Sequence, residues 1–151
     1  MMAIINMLNH LPTATLQQHL KLMMPVLLYS LNTTDICNEQ LWLHSLKSFE
    51  LLIDDAARPD HSLFLEFTEP VLERLLKLCT YQANMQVRLL ALRCVNNLAK
   101  SVSPARIIKS QKTVCRQLEA CLNDRKRLCR QMAVEARNRW FLITTKTNQE
   151  N

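Results

Sequence analysis

Apolar residues recur along this chain at intervals of three and four, and the recurrence is interrupted in a few places by proline or by short polar clusters. Val87, Ala91, Cys94 and Leu98 fall on one face of a helix, as do Cys129, Ala133, Ala136, Trp140 and Ile143. The interruptions divide the chain into about six helical segments of roughly two to five turns each. A first helix is predicted over 13–31 with Pro25 inside it, then a break at Thr33, Thr34 and Asp35, then a second helix over 38–57. Arg58-Pro59-Asp60 closes that pair. A second pair is predicted over 61–80, with Pro70 inside, and 84–102, joined through Tyr81-Gln82-Ala83 and closed by Ser103-Pro104. A third runs over 105–122 and 124–143, and the polar tail 144–151 is expected to be disordered.

Superposing the pairs gives self-similarity at roughly 42 to 46 residues, the period of HEAT and armadillo arrays. Glu69-Pro70-Val71-Leu72 echoes Met24-Pro25-Val26-Leu27, so kinks are expected at equivalent places in the first two pairs. Val71 aligns in turn with Val114, although the third pair lacks the proline. Among the second helices, Val87-Arg88-Leu89-Leu90-Ala91-Leu92 aligns with Cys129-Arg130-Gln131-Met132-Ala133-Val134, and apolar-Arg-x-x-Ala is characteristic of a HEAT second helix. One such pair cannot bury its apolar stripe alone, whereas stacked pairs share nearest-neighbour interfaces. The expected architecture is therefore an all-α solenoid of about three HEAT-type helix pairs, forming one domain over 1–143 with repeats near 13–57, 61–102 and 105–143. The repeated alanines let paired helices approach closely. Trp42 and Phe49 are expected in the core, and Trp140 in the core or plugging the end of the last repeat. The apolar stub within 1–11 reads as the remnant of a preceding repeat, so the chain is expected to be the C-terminal piece of a longer array.

Composition narrows the chemistry. The 151 residues include no glycine, which removes the usual means of building phosphate loops, nucleotide-binding turns and tight hairpins. Cys37, Cys79, Cys94, Cys115, Cys121 and Cys129 are irregularly spaced in apolar helical stretches, the pattern of reduced, buried thiols rather than of a disulfide framework. No C-x-x-C occurs, and His10, His19, His44 and His61 lack metal-site spacing, so neither metal nor cofactor is expected. Without H-E-x-x-H or G-x-S-x-G, and with Asp54-Asp55 and Glu66/Glu69 at helix ends or on charged faces, the chain is not expected to be an enzyme. No signal peptide is evident and the longest apolar run, 22–29, is too short to span a bilayer, which points to cytoplasm and nucleus.

Charge is divided along the chain. Up to Cys79 there are five basic and nine acidic residues; from Thr80 onward fourteen basic residues face four acidic ones. The second half is thus a surface for acidic proteins or phosphates. On a helical wheel Lys126, Arg130 and Arg137 fall within about 40° of one another, with Val134 and Phe141 beside them. This is either a docking face with Phe141 as anchor or, for Arg130, one half of an aspartate–arginine ladder with Asp124, six residues upstream. Arg88 holds the equivalent place one repeat earlier, with Gln82 where that aspartate would be.

The run Leu122-Asn123-Asp124-Arg125-Lys126-Arg127-Leu128-Cys129-Arg130, followed by Ala133-Val134-Glu135-Ala136-Arg137 and Trp140-Phe141-Leu142, closely resembles the C-terminal end of the MMS-nineteen family. That family is the HEAT-repeat scaffold of the cytosolic iron–sulfur protein assembly machinery. The resemblance extends back through Arg88-Leu89-Leu90-Ala91-Leu92-Arg93-Cys94 and Pro104, and reaches the first repeat only by pattern. Cys129 stands where the family more often has valine, and Asn123 where it often has aspartate. The resemblance implies an adaptor that joins a WD-repeat propeller subunit and a small MIP-eighteen-type subunit in a targeting complex linked to DNA repair and transcription. Its clients would be iron–sulfur apo-proteins such as DNA helicases and polymerases. The C-terminal repeats would dock the small subunit, with Arg125, Lys126, Arg127, Arg130, Arg137, Phe141 and Arg88 as the candidate contacts. The alternative is a nucleic-acid-binding repeat acting through the basic half. Few exposed aromatics and no recognition-helix signature leave that half only weak, nonspecific contact with phosphates.

Overall fold

Polar breaks in the sequence become helix boundaries because their side chains satisfy the backbone groups a helix end leaves bare. Asn84 accepts hydrogen bonds from the backbone N–H groups of Gln86 and Val87 at 2.9 and 3.4 Å and so starts one helix. Asp124 plays a related part further on, its Oδ1 accepting from the Lys126 N–H at 2.8 Å. Pro104 opens a helix at a position where its missing N–H costs nothing. The Gln111 side-chain amide donates to the carbonyls of Trp140 and Phe141 at 3.0 and 2.9 Å, closing the end of the last helix.

The structure, a computed structural model, describes residues 10, 12, 15, 19–32, 39–55 and 66–143. Its helices are α1 (Leu20–Ser30), α2 (Glu39–Asp55), α3 (Thr68–Cys79), α4 (Met85–Ser101), the short α5 (Pro104–Ile107), a 3-10 turn (Ile108–Ser110), α6 (Gln111–Cys121) and α7 (Arg127–Phe141). Among the described residues there is no strand. The expected stub within 1–11 (His10 apart), the turn at Arg58-Pro59-Asp60 and the tail 144–151 lie outside the described residues.

Helices pair in order, α1 with α2, α3 with α4 and α6 with α7. The second helices α2, α4 and α7 lie side by side in one layer, and the first helices α1, α3 and α6 form the other. This is the all-α solenoid expected from the repeat. The period is visible as bonds between neighbouring pairs. The Cys121 thiol donates to the Cys79 carbonyl, 42 residues away, and Asn97 to Asp54, 43 away. The Trp140 indole N–H donates to the Val95 carbonyl, 45 away, at 2.8 Å.

Prolines act differently in the two pairs that carry them. Pro25 lies inside α1. Pro70 falls in the first turn of α3, and the chain breaks just before it: Glu66 is helical and Phe67 is a turn. The proline ring clashes with the carbonyl four residues back, here that of Glu66, so a helix cannot run through unbroken. The third pair, with no such proline, breaks instead at the 3-10 turn.

One continuous core runs through all three pairs and includes Leu27, Trp42, Phe49, Leu75, Leu98 and Val114. Ala91 and Ala133 are fully buried at equivalent places in α4 and α7, where a larger side chain would push the helices apart. Trp140 does not close an open end; it is fully buried and bonded back to α4, between the second and third pairs. Cys79, Cys94, Cys121 and Cys129 are buried free thiols and Cys115 is half-buried; Cys37 lies outside the described residues. Burial pushes the Cys79 and Cys94 thiols well up and Cys121 to about 11, so they stand protonated at neutral pH.

Candidate functional site

Polar joints tie the second helices together. Between the first and second pairs, the Glu39 carboxylate accepts from the Tyr81 hydroxyl at 2.6 Å and from Asn84 at 2.8 Å. Those two hydrogen bonds hold its carboxyl below the usual carboxylate range. Glu50 pairs with Arg93 at 2.9 Å and Asp54 accepts from Asn97 at 3.1 Å. Acids of the first half therefore meet donors of the second across one interface. A groove of about 520 Å³ lies there, lined by His44, Lys47, Glu50, Leu51, Leu90 and Arg93, with His10 at its edge.

The joint between the second and third pairs is tighter. Arg88, 6% exposed, donates from Nε and Nη2 to the two Asp124 oxygens at 2.6 and 3.1 Å, while Nη1 donates to the carbonyls of Tyr81 and Gln82. Burial pushes the Asp124 carboxyl up, but hydrogen bonds from Arg88 and the Lys126 N–H, with the charges of Arg88 and Arg130, outweigh it and hold it low. Two expectations change here. Arg88 is spent inside the fold and does not belong to a docking face. Asp124 forms its carboxylate ladder with Arg88 of the preceding pair rather than with Arg130, which among the described residues takes only main-chain carbonyls, those of Asp124 and Arg125, at 2.7 and 3.2 Å.

Around α7 the residues divide by side. Cys129, Ala133, Ala136 and Trp140 are buried. Glu135 and Arg139 turn toward α4, where Asn96 donates to Glu135 at 3.1 Å and accepts from Arg139 at 2.9 Å. The remaining flank carries Arg127, Arg130, Val134, Arg137 and Phe141, with Phe141 65% exposed. Arg137 is half-buried near Cys115 of α6, and its Nε is shielded from solvent without a hydrogen-bond partner among the described residues. Lys126 is exposed but precedes the helix with extended backbone, so helix geometry does not align it with Arg130 and Arg137 as the wheel implied. Arg125 and Arg127 are exposed beside it, and neither forms an ion pair with a described residue.

The arrangement is suited to binding. Among the described residues no group of three or more His, Cys, Asp or Glu side chains is placed to hold a metal ion, and no helix is long and apolar enough to cross a membrane. What the sequence reading missed is the Asn96–Glu135–Arg139 bridge and the joint at Glu39. Exposed Val134 adds apolar area within the cationic flank, whereas exposed Leu142 lies on the side of Glu135 and Arg139.

The family model described as RNAPII transcription regulator C-terminal matches residues 1–99, so the first two helix pairs carry a family signal that the sequence reading placed chiefly on the last helix. The chain is 28% identical, over 95% of its length, to the MMS19 nucleotide excision repair protein homolog of Dictyostelium discoideum. It is 30% identical over 91% of its length to the homolog of Homo sapiens, and 26% identical over 94% to the DNA repair/transcription protein mms19 of Schizosaccharomyces pombe. The chain spans 12–13% of the length of these curated relatives.

Proposed function

The chain belongs to the family of RNAPII transcription regulator C-terminal domains, and from that premise we propose that it is a protein-binding scaffold segment serving DNA repair and transcription. In this reading it does no chemistry of its own. It docks the small MIP-eighteen-type subunit of a cytosolic iron–sulfur targeting complex, alongside a WD-repeat propeller subunit. It also helps present apo-protein clients such as helicases and polymerases, with the cluster as cargo, in the cytoplasm and nucleus.

The observation that carries this reading is the outward flank of α7. Cationic Arg127 and Arg130 stand there beside exposed Val134 and Phe141, with Arg125 and Lys126 on the adjoining turn. A cationic rim around an apolar centre is the usual anatomy of a protein-docking patch, with arginine giving direction and an aromatic giving area. The charge of the second half also favours nucleic acid as a second reading.

Isothermal titration of the chain with the small subunit tests the proposal, using native protein and an Arg125→Glu, Arg127→Glu variant of unchanged helical circular dichroism. Binding by the native chain that the variant loses is the expected result. No binding by well-folded native chain removes the docking reading. Titration with duplex DNA at physiological salt then decides the second, since nonspecific phosphate contact fades steeply with salt.

A further inference from the structure

Helices α4 and α7 are equivalent, and α4 shows what the flank of a second helix does when another pair rests on it. Arg88 and Arg130 stand 42 residues apart at matching places, and each uses Nη1 to hold two main-chain carbonyls of its own preceding turn. In Arg88 the other two donors, Nε and Nη2, receive the Asp124 carboxylate of the next pair. In Arg130 neither Nε nor Nη2 donates to a described residue. The same contrast holds for the apolar contact: Leu92 is fully buried, whereas Val134, its equivalent, is 47% exposed. Where α4 has fully buried Val95, α7 has Arg137, whose shielded Nε has no hydrogen-bond partner among the described residues. The flank of α7 keeps the receiving half of the joint between repeats and adds positive charge to it.

We infer that this flank receives a partner protein in the way α4 receives the third pair, through an acid-headed helix. A carboxylate just ahead of the partner's helix lies across Nε and Nη2 of Arg130 as a two-bond fork, and an apolar side chain of the same helix covers Val134. The partner is acidic at that edge because the flank it meets is more cationic than the α4 flank that served as template. This deepens the docking reading above and rests on it for the role of α7, but the chemistry it names can be tested separately.

The first test joins a copy of residues 102–143 after Ile143, so that the copied Asp124 is offered to Arg130 in the register that Asp124 itself uses on Arg88. The expected result is that the added pair folds, seen as a proportionate gain in helical circular dichroism. Its unfolding midpoint should fall when either Arg130→Lys or Asn in place of the copied aspartate is introduced. Lysine keeps the charge and a donor for the turn carbonyls but cannot form the fork. An added pair that stays unfolded, or one whose midpoint ignores both changes, overturns the inference.

The second test measures Arg130→Lys and, as a control at an exposed position of α6 away from the flank, Arg116→Lys against the small subunit. Arg130→Lys is expected to weaken binding about tenfold while Arg116→Lys leaves it nearly unchanged. Equal affinity of native chain and Arg130→Lys overturns the fork and leaves the docking proposal standing. If the small subunit does not bind at all, the docking proposal fails, and the extended chain still decides whether Arg130 accepts an acid-headed helix.

Discussion

Replacing Asp124 with asparagine is the sharpest single perturbation of this array. The side chains of Arg88 and Asp124 are 7% and 8% exposed, so the variant leaves a guanidinium facing a neutral amide in a nearly dry joint. Breaking a buried pair in this way costs about 3–5 kcal/mol. Arg88 keeps the carbonyls of Tyr81 and Gln82, and asparagine keeps one acceptor oxygen, so the loss belongs at the lower end, about 3 kcal/mol. For a domain of this size that corresponds to a fall of roughly 6–12 °C in midpoint. Because interfaces in such arrays join nearest neighbours, the loss falls on the coupling of the third pair. Unfolding followed by far-ultraviolet circular dichroism should broaden or split, and amides of α6 and α7 should exchange hydrogen before those of α4. Acid provides a sign check. The Asp124 carboxyl is held below its ordinary value, so its stabilisation is complete above the ordinary carboxylate pKa and is lost as pH falls through the lower, folded one. The gap between native chain and variant should close through that acid window. A midpoint change under about 2 °C, or a gap unchanged by acid, would refute the assignment. An Arg88→Met, Asp124→Leu double variant should recover much of the loss, because a packed apolar pair needs no desolvated charges.

Trp140→Ala should cost about 3–5 kcal/mol by emptying the joint between α4 and α7, whereas Trp140→Phe, which loses mainly the bond to the Val95 carbonyl, should cost about 1 kcal/mol; urea unfolding separates the two. Pulse alkylation at neutral pH with mass spectrometry should label half-buried Cys115 well before Cys79 and Cys94, whose thiols are fully enclosed and pushed well up by burial. Equal labelling rates for Cys94 and Cys115 in folded protein would contradict the packing described. Arg125→Glu, Arg127→Glu should leave the unfolding midpoint unchanged, since neither side chain pairs with a described residue; a clear fall would mean that they serve the fold rather than a partner.

Helix boundaries were legible where a residue acts locally. Asn84 is a cap by its own chemistry, Pro104 opens a helix by its fixed φ, and the three-and-four spacing of Val87, Ala91, Cys94 and Leu98 is the core stripe itself. The break at Ile108–Ser110 was not, because no proline or glycine marks it and the local composition suits a continuous helix. Trp140 was legible as apolar but not as a donor to Val95, since that partner lies 45 residues away.

The candidate site depended on distances that sequence spacing misjudges. Asp124 stands six residues before Arg130, and proximity suggested that they pair; in space the Asp124 carboxylate turns back to the preceding pair, and only its carbonyl faces Arg130. Arg88 and Arg130 share the same local motif, yet one is sealed and the other open, because what differs is the neighbour laid over each. The charge division of the chain was a similar half-truth. Glu39, Glu50 and Asp54 are not merely an acidic half but acceptors for Tyr81, Asn84, Arg93 and Asn97 of the next pair. Once Arg88, Arg93 and Arg139 are assigned to such joints, the basic half is no longer a uniform surface. Among the described residues, the cations left facing outward around the α7 start are Arg125, Lys126, Arg127 and the Nε and Nη2 donors of Arg130, so a partner drawn by charge would meet the flank where α4, in its own place, receives the third pair.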